Sequence, residues 1–181
     1  MDATGITEAS QYLTFKLDQE IYALDITQVS EVLDFSEITK VPRMPDFMRG
    51  VINLRGGVVP VVDLRLKFGM TRTEKTVDTC IIIIDLTIEG DTTLLGVLAD
   101  SVQEVMIMEP GQISPPPKIG TRLDTEFIKG MGKKNDEFVI IVDIDKVFSI
   151  DDMIILQAHE EDLALKETMD RDSEKQVILE E

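Results

Sequence analysis

Gly50-Val51-Ile52-Asn53-Leu54-Arg55-Gly56-Gly57-Val58-Val59-Pro60-Val61-Val62-Asp63-Leu64-Arg65 holds two short apolar runs on either side of a glycine pair. Glycine supplies positive φ without steric cost, so residues 51–54 and 58–62 are predicted to be the arms of a tight hairpin with Arg55 at its apex. Pro60 has no N–H to give, which predicts an edge strand or a bulge there. A charged residue on a rigid hairpin tip is well placed to meet a partner, or simply to be solvated.

The same grammar extends outward. Residues 11–17 alternate Leu13, Phe15 and Leu17 with Tyr12, Thr14 and Lys16, the period of a half-buried strand. Asp18-Gln19 reads as a turn into a second strand at 20–24. Residues 29–33 form another segment, with Glu31 set between Val29 and Val32. The run Cys80-Ile81-Ile82-Ile83-Ile84 has no polar face and is predicted to be buried on both sides. Residues 93–98, 102–108 and 138–142 complete the series. Helical periodicity is missing across 11–150, so the fold is predicted to be all-β, a barrel or sandwich of short strands.

A weak internal repeat overlies these strands. Val29-Ser30-Glu31-Val32 recurs as Val102-Gln103-Glu104-Val105, at an offset of 73. Phe47-Met48-Arg49-Gly50 recurs as Phe127-Ile128-Lys129-Gly130, and Val62-Asp63-Leu64 with Phe68 as Val142-Asp143-Ile144 with Phe148, both at an offset of 80. Two readings are open. Common β residues recur by chance, or a unit of about 70–80 residues, too small to be comfortable alone, has been duplicated around a shared face. Duplication predicts two equivalent subdomains with a groove between them.

Charge and composition exclude several classes. The chain carries 35 acids against 18 bases, a net charge of -17. Residues 151–181 hold 11 acids and 3 bases. Such a chain repels phosphate backbones, and no basic stripe with interleaved aromatics is present, so nucleic-acid binding is not expected. The longest apolar run is too short for a membrane span, and no signal peptide is read at the start. Cys80 is the single cysteine, which suits a reducing compartment. It reads as a small core hydrophobe and not as a reactive thiolate.

A search for catalytic chemistry finds no converging constellation. His159 is the only histidine and lies in the acidic tail. One His and one Cys support neither a zinc centre nor a Cys–His pair, so no metal, cofactor or catalytic residue is expected. Gly130-Met131-Gly132-Lys133-Lys134 lacks the spacing and hydroxyl of a phosphate loop and reads as a turn with lysines in solvent. Asp143 and Asp145 read as the outer face of an edge strand. Asp151 or Asp152 is predicted to cap a helix covering about half of the acidic tail and fading toward Glu181.

The stretch 50–65 resembles the signature of the CheW family. Ile26-Thr27-Gln28-Val29-Ser30-Glu31-Val32, Leu95-Gly96-Val97-Leu98-Ala99-Asp100-Ser101-Val102 and Phe127-Ile128-Lys129-Gly130-Met131-Gly132 support it. The resemblance runs from about residue 11 to 149. It implies two small five-stranded, SH3-like barrels on a common core. It also implies a non-catalytic scaffold in the cytoplasm, at receptor arrays on the inner membrane face. The implied partners are the regulatory domain of a CheA-type histidine kinase and the cytoplasmic tip of a chemoreceptor, whose helical hairpin would enter the groove between barrels. Val29, Glu31, Gly50, Asn53, Arg55 and Gly56 are the implied partner-binding residues. Val29 is expected on an apolar face, and Glu31 and Arg55 at charged assembly positions. Residues 1–10 are expected as a loose arm, 11–150 as the CheW-like domain, and 151–181 as the acidic, partly helical tail. Two alternatives are the same scaffold in a non-flagellar pathway and a small β-barrel enzyme.

Overall fold

The computed structural model of the chain describes residues 8–116, 127–149, 151–152 and 154–155. Ten strands make two five-stranded sheets. They are β1 (Ser10–Leu17), β2 (Glu20–Asp25), β3 (Val29–Asp34), β4 (Met48–Leu54), β5 (Gly57–Asp63), β6 (Cys80–Ile88), β7 (Asp91–Ala99), β8 (Ser101–Met108), β9 (Ile128–Lys134) and β10 (Glu137–Val142). One-turn helices α1 (Leu64–Lys67) and α2 (Ile144–Val147) follow β5 and β10. The strand orders are β8-β1-β2-β10-β9 and β3-β6-β7-β5-β4.

These two orders are one order. Replacing β3, β4, β5, β6 and β7 by β8, β9, β10, β1 and β2 turns the second sheet into the first. The single parallel pair is retained, as β5 with β7 and as β10 with β2. The sequence repeat marks the same equivalence. Asp63 N–H donates to Phe47 O at 2.7 Å, and Asp143 N–H to Phe127 O at 2.7 Å. Residue 49 is bulged out of the β4–β5 ladder and residue 129 out of the β9–β10 ladder. The isolated bridges Thr39–Val51 and Ser114–Met131 also match, since Met131 lies 80 residues after Val51. The duplication is therefore real, but the copies are not consecutive. The strands of residues 10–25 complete the barrel made by residues 101–142.

Burial follows from period two. Ile81 and Ile83 point into the barrel of β3–β7 with Ile52, Val59, Val61 and Leu98. Ile82 and Ile84 point the other way, into a core shared by both barrels. Tyr12, Ile21, Ala23, Met108, Val139 and Ile141 fill the other barrel. All four isoleucines are fully buried, as their unbroken apolar run requires. Fully burying a side chain of this size is worth about 1.5–3 kcal/mol.

The shared core is reciprocal. Phe68, just after α1, stacks on Phe127 with centroids 4.8 Å apart. Phe148, just after α2, packs on Phe47 at 6.3 Å. Each barrel thus gives the phenylalanine after its helix to the phenylalanine before the other barrel's strand, the mutual exchange of an isologous contact.

Four sequence expectations are corrected. Pro60 is on an interior strand. It is tolerated because it stands opposite Val51, whose N–H and C=O both bond Thr39, so β4 asks nothing of residue 60. Residues 130–134 are strand β9, not a turn. Glycine is a poor strand former, but a Cβ at Gly132 would meet Met108 Sδ at 2.6 Å, so the close packing selects glycine there. Asp143 and Asp145 do not share a strand face, because β10 ends at Val142. Asp145, in α2, accepts from Thr87 N–H at 2.9 Å and Gln28 Nε2 at 3.1 Å, binding the second barrel to the first. Residues 151–152 and 154–155 are helical, but the cap is Ser149. Ser149 Oγ accepts from Asp152 N–H, and Asp152 Oδ2 accepts from Ser149 N–H, a reciprocal capping box. The remainder of the tail, with His159, lies outside the described residues.

Candidate partner-binding surface

The β4–β5 hairpin has a two-residue loop. Leu54 pairs with Gly57, and the loop residues Arg55 and Gly56 have φ of 50° and 85°. Both angles are positive, as the hairpin's strand twist demands. The turn residues are therefore Arg55 and Gly56, and Gly57 already belongs to β5. Asn53 closes the turn, its Oδ1 accepting from Gly56 N–H at 3.0 Å. Arg55 Nη2 reaches Glu31 Oε1 at 2.6 Å.

That ion pair joins the two edges of one sheet, since β3 and β4 are its outermost strands. The other barrel has a counterpart: Lys134 at the end of β9 meets Glu104 on β8 at 2.7 Å. Glu104 is the repeat partner of Glu31. Each barrel mouth is thus spanned by one carboxylate–cation pair. With Arg55 74% exposed, the pair is worth about 0.2–1 kcal/mol. The Arg55 side chain remains largely available to another protein, while that of Glu31 is mostly covered.

A bulge between Val29 and Glu31 re-aims β3. Val29 pairs with Ile84 and is half-buried against the shared core, while Glu31 pairs with Ile83 and turns toward the barrel mouth. Val29, expected on a partner-facing apolar surface, is thus partly exposed beside the shared core. The exposed valine of this strand is Val32, at 40%. Its repeat partner on β8, Val105, is 48% exposed, with Ile107 and Phe138 exposed further along the second barrel. Gly50 is buried at φ 140°, and a Cβ there would stand 2.1 Å from Thr39 O. It supports the hairpin's base and does not form its surface. Of the six residues, Glu31, Asn53, Arg55 and Gly56 gather at the hairpin tip, and Val29 and Gly50 lie beneath.

The sequence reading missed what fixes the hairpin's other end. Asp63 is fully buried. Its carboxylate accepts from Thr73 Oγ1 at 2.7 Å, Thr73 N–H at 2.9 Å, Arg65 N–H at 3.1 Å and Arg49 Nη1 at 3.1 Å. Arg49 also donates to Thr73 O at 3.0 Å. The bulge that expels residue 49 from the ladder lets its side chain reach Asp63. An acid within the apolar run 58–64 was the available signal.

Cys80 is half-buried, its thiol donating to Asp78 O at 3.2 Å. Burial pushes the thiol up, a backbone hydrogen bond at Val102 pulls it down, and Asp34 and Asp78 push it up further. It is a poor thiolate.

The CheW-like domain family matches residues 11–152. The chain is 33% identical to "Chemotaxis protein CheW" of Klebsiella aerogenes over 152 residues, covering 84% of this chain and 89% of that protein. It is 31% identical to the protein of the same name from Thermotoga maritima, covering 76% and 86%. The crystal structure of the scaffolding protein CheW from Thermoanaerobacter tengcongensis superposes with a TM-score of 0.69 at 37% identity, covering 79% of this chain and 90% of that one. Two permuted five-stranded barrels with edge-bridging ion pairs, matched over this length, lead to one assignment: the chain belongs to the CheW family.

Proposed function

We propose that this chain is a non-catalytic adaptor of bacterial chemotaxis, coupling chemoreceptor cytoplasmic tips to the regulatory domain of a CheA-type histidine kinase. The observation that carries the reading is its 37% identity to a scaffolding protein across 79% of the chain. It works in the cytoplasm, in receptor arrays at the inner membrane face. Among the described residues no helix is long and apolar enough to cross a membrane.

The physical basis is a rigid body with two similar exposed edges. The Glu31–Arg55 tip with Asn53, Gly56 and Val32 forms one contact surface and meets the kinase domain. Val29 and Gly50 hold that surface in place. The receptor's helical hairpin docks at the junction of the two barrels. Rigid edges lower the ordering cost of assembly, so a modest contact area suffices.

The test is reconstitution of purified protein, cognate kinase and receptor membranes, read by kinase autophosphorylation. Stoichiometric stimulation that requires receptor is the expected result. Binding to neither kinase nor receptor would refute the proposal.

A further inference from the structure

Most charge on this protein is negative, yet one cleft is cationic. Lys40, Arg43, Arg49 and Arg72 line a cavity of about 240 Å³ between the 40–46 loop and the start of β4, with Met48 at its base and Asp46 as its one acid. Arg49 is held by Asp63. Lys40, Arg43 and Arg72 are exposed and have no ion-pair partner among the described residues. Arg43 adopts a left-handed φ of 62° between Pro42 and Pro45. With Arg49 already paired, Lys40, Arg43 and Arg72 are the unpaired cations around the cleft, and a bound anion relieves their mutual repulsion.

The polyanion nearest to hand is the chain's own C-terminal segment. Residues 156–181 hold nine acids and three bases. The structure also fixes where that segment leaves the barrels. Asp152 Oδ2 meets Lys67 Nζ at 2.6 Å, and the same ammonium lies 4.7 Å from the centroid of the Phe47 ring. Phe47 stands between Asp46 and Met48, both of which line the cleft. At up to about 3.3 Å per residue, the five residues from Ile155 to Glu160 can span roughly 16 Å and the seven to Asp162 roughly 23 Å, a reach that suits a cleft lined by both sequence neighbours of Phe47. A short tether gives a local concentration on the order of millimolar, so weak individual contacts suffice.

We infer that the acidic segment 156–181 docks in cis on the cationic cleft formed by Lys40, Arg43, Arg49 and Arg72. Docking neutralises that patch. It depends on salt, because the paired charges lie at the surface.

The test uses the full chain, with zero-length carbodiimide cross-linking mapped by mass spectrometry. Lys40 is the reporter amine, and Lys133 and Lys134 on the other barrel are the reference. Equal amounts of light and isotope-labelled protein are mixed, so that links within one chain are told from links between two. The expected result is a dominant single-chain link from Lys40 to carboxylates of residues 160–181. It is lost in the double variant R43E/R72E and at high salt, with thermal melting unchanged by the substitutions. Equal yields at Lys40 and the reference lysines overturn the inference. So do mixed-isotope links alone, which would assign the cleft to a second copy's tail.

Discussion

Replacing Asp63 by Ala tests whether one buried carboxylate holds the hairpin and the 69–79 loop together. The substitution strips an acceptor from four donors at once. Thr73 loses the partners of both its N–H and its hydroxyl, at a site 4% exposed. Arg49, whose side chain is 16% exposed, keeps only its bond to Thr73 O. Breaking a buried ion pair by removing one partner costs about 3–5 kcal/mol. Each stranded buried donor adds about 1–3 kcal/mol, reduced where water follows into the gap. Because these losses share one site they do not add, and the expected total is about 3–5 kcal/mol. For a chain of this size that is a fall in Tm of roughly 10 °C. The fold supplies its own control. Asp143 is the repeat partner of Asp63 and keeps the same backbone bond to the preceding phenylalanine, but its carboxylate lies 3.8 Å from Lys146 and caps nothing. Asp143→Ala is expected to cost less than about 1 kcal/mol. Urea denaturation of both variants, with unchanged m-values, makes the comparison. Equal losses within about 0.5 kcal/mol would refute the claim that the carboxylate cluster, and not the strand-end geometry common to both copies, holds this end.

Other outcomes follow from the same geometry. Gly50→Ala forces a Cβ onto Thr39 O at a backbone angle glycine favours. A loss of about 2 kcal/mol or more is expected in denaturant unfolding. Arg55→Glu sets two carboxylates face to face across the barrel mouth. Receptor-dependent kinase stimulation is expected to fall sharply while stability changes by about 1 kcal/mol or less, and undiminished stimulation would remove Arg55 from the contact surface. Partial burial pushes the Asp152 carboxyl up, but hydrogen bonds from Lys67 and Ser149 and the Lys67 charge outweigh it and hold it below its ordinary value. A depressed acid stabilises above its unfolded pKa, so this contribution is present at neutral pH and is lost as pH falls below about 4. Lys67→Met is expected to flatten that acid limb in a stability–pH series. Cys80 is expected to react with a disulfide reagent more slowly than an open thiol at neutral pH, its rate rising only at higher pH than usual.

Much of the local structure was legible because side-chain alternation and turn chemistry act over a few residues. Residues 11–17 and the isoleucine run announced their burial by period. Arg55 and the glycine pair Gly56-Gly57 announced their hairpin. β9 was not legible, since its glycines read as breaks until Met108 is seen packed on Gly132. The candidate site was half legible. The Glu31–Arg55 pair could be suspected as charges among apolar residues, but the bulge that turns Val29 inward leaves no sequence mark. The Asp63 cluster needs Arg49 and Thr73 from two other segments.

By itself, then, the sequence determined most of the strands, the tight hairpin and the acidic tail, and it showed a weak self-similarity between residues 29–68 and 102–148 that two readings could explain. These are short-range consequences of side-chain period, backbone sterics and charge. Only the tertiary structure decided that the first two strands complete the second barrel. That choice rests on β1 pairing with β8 and β2 with β10, contacts between segments some hundred residues apart. The energy of such pairings depends on which faces they bury together, and no local pattern encodes it.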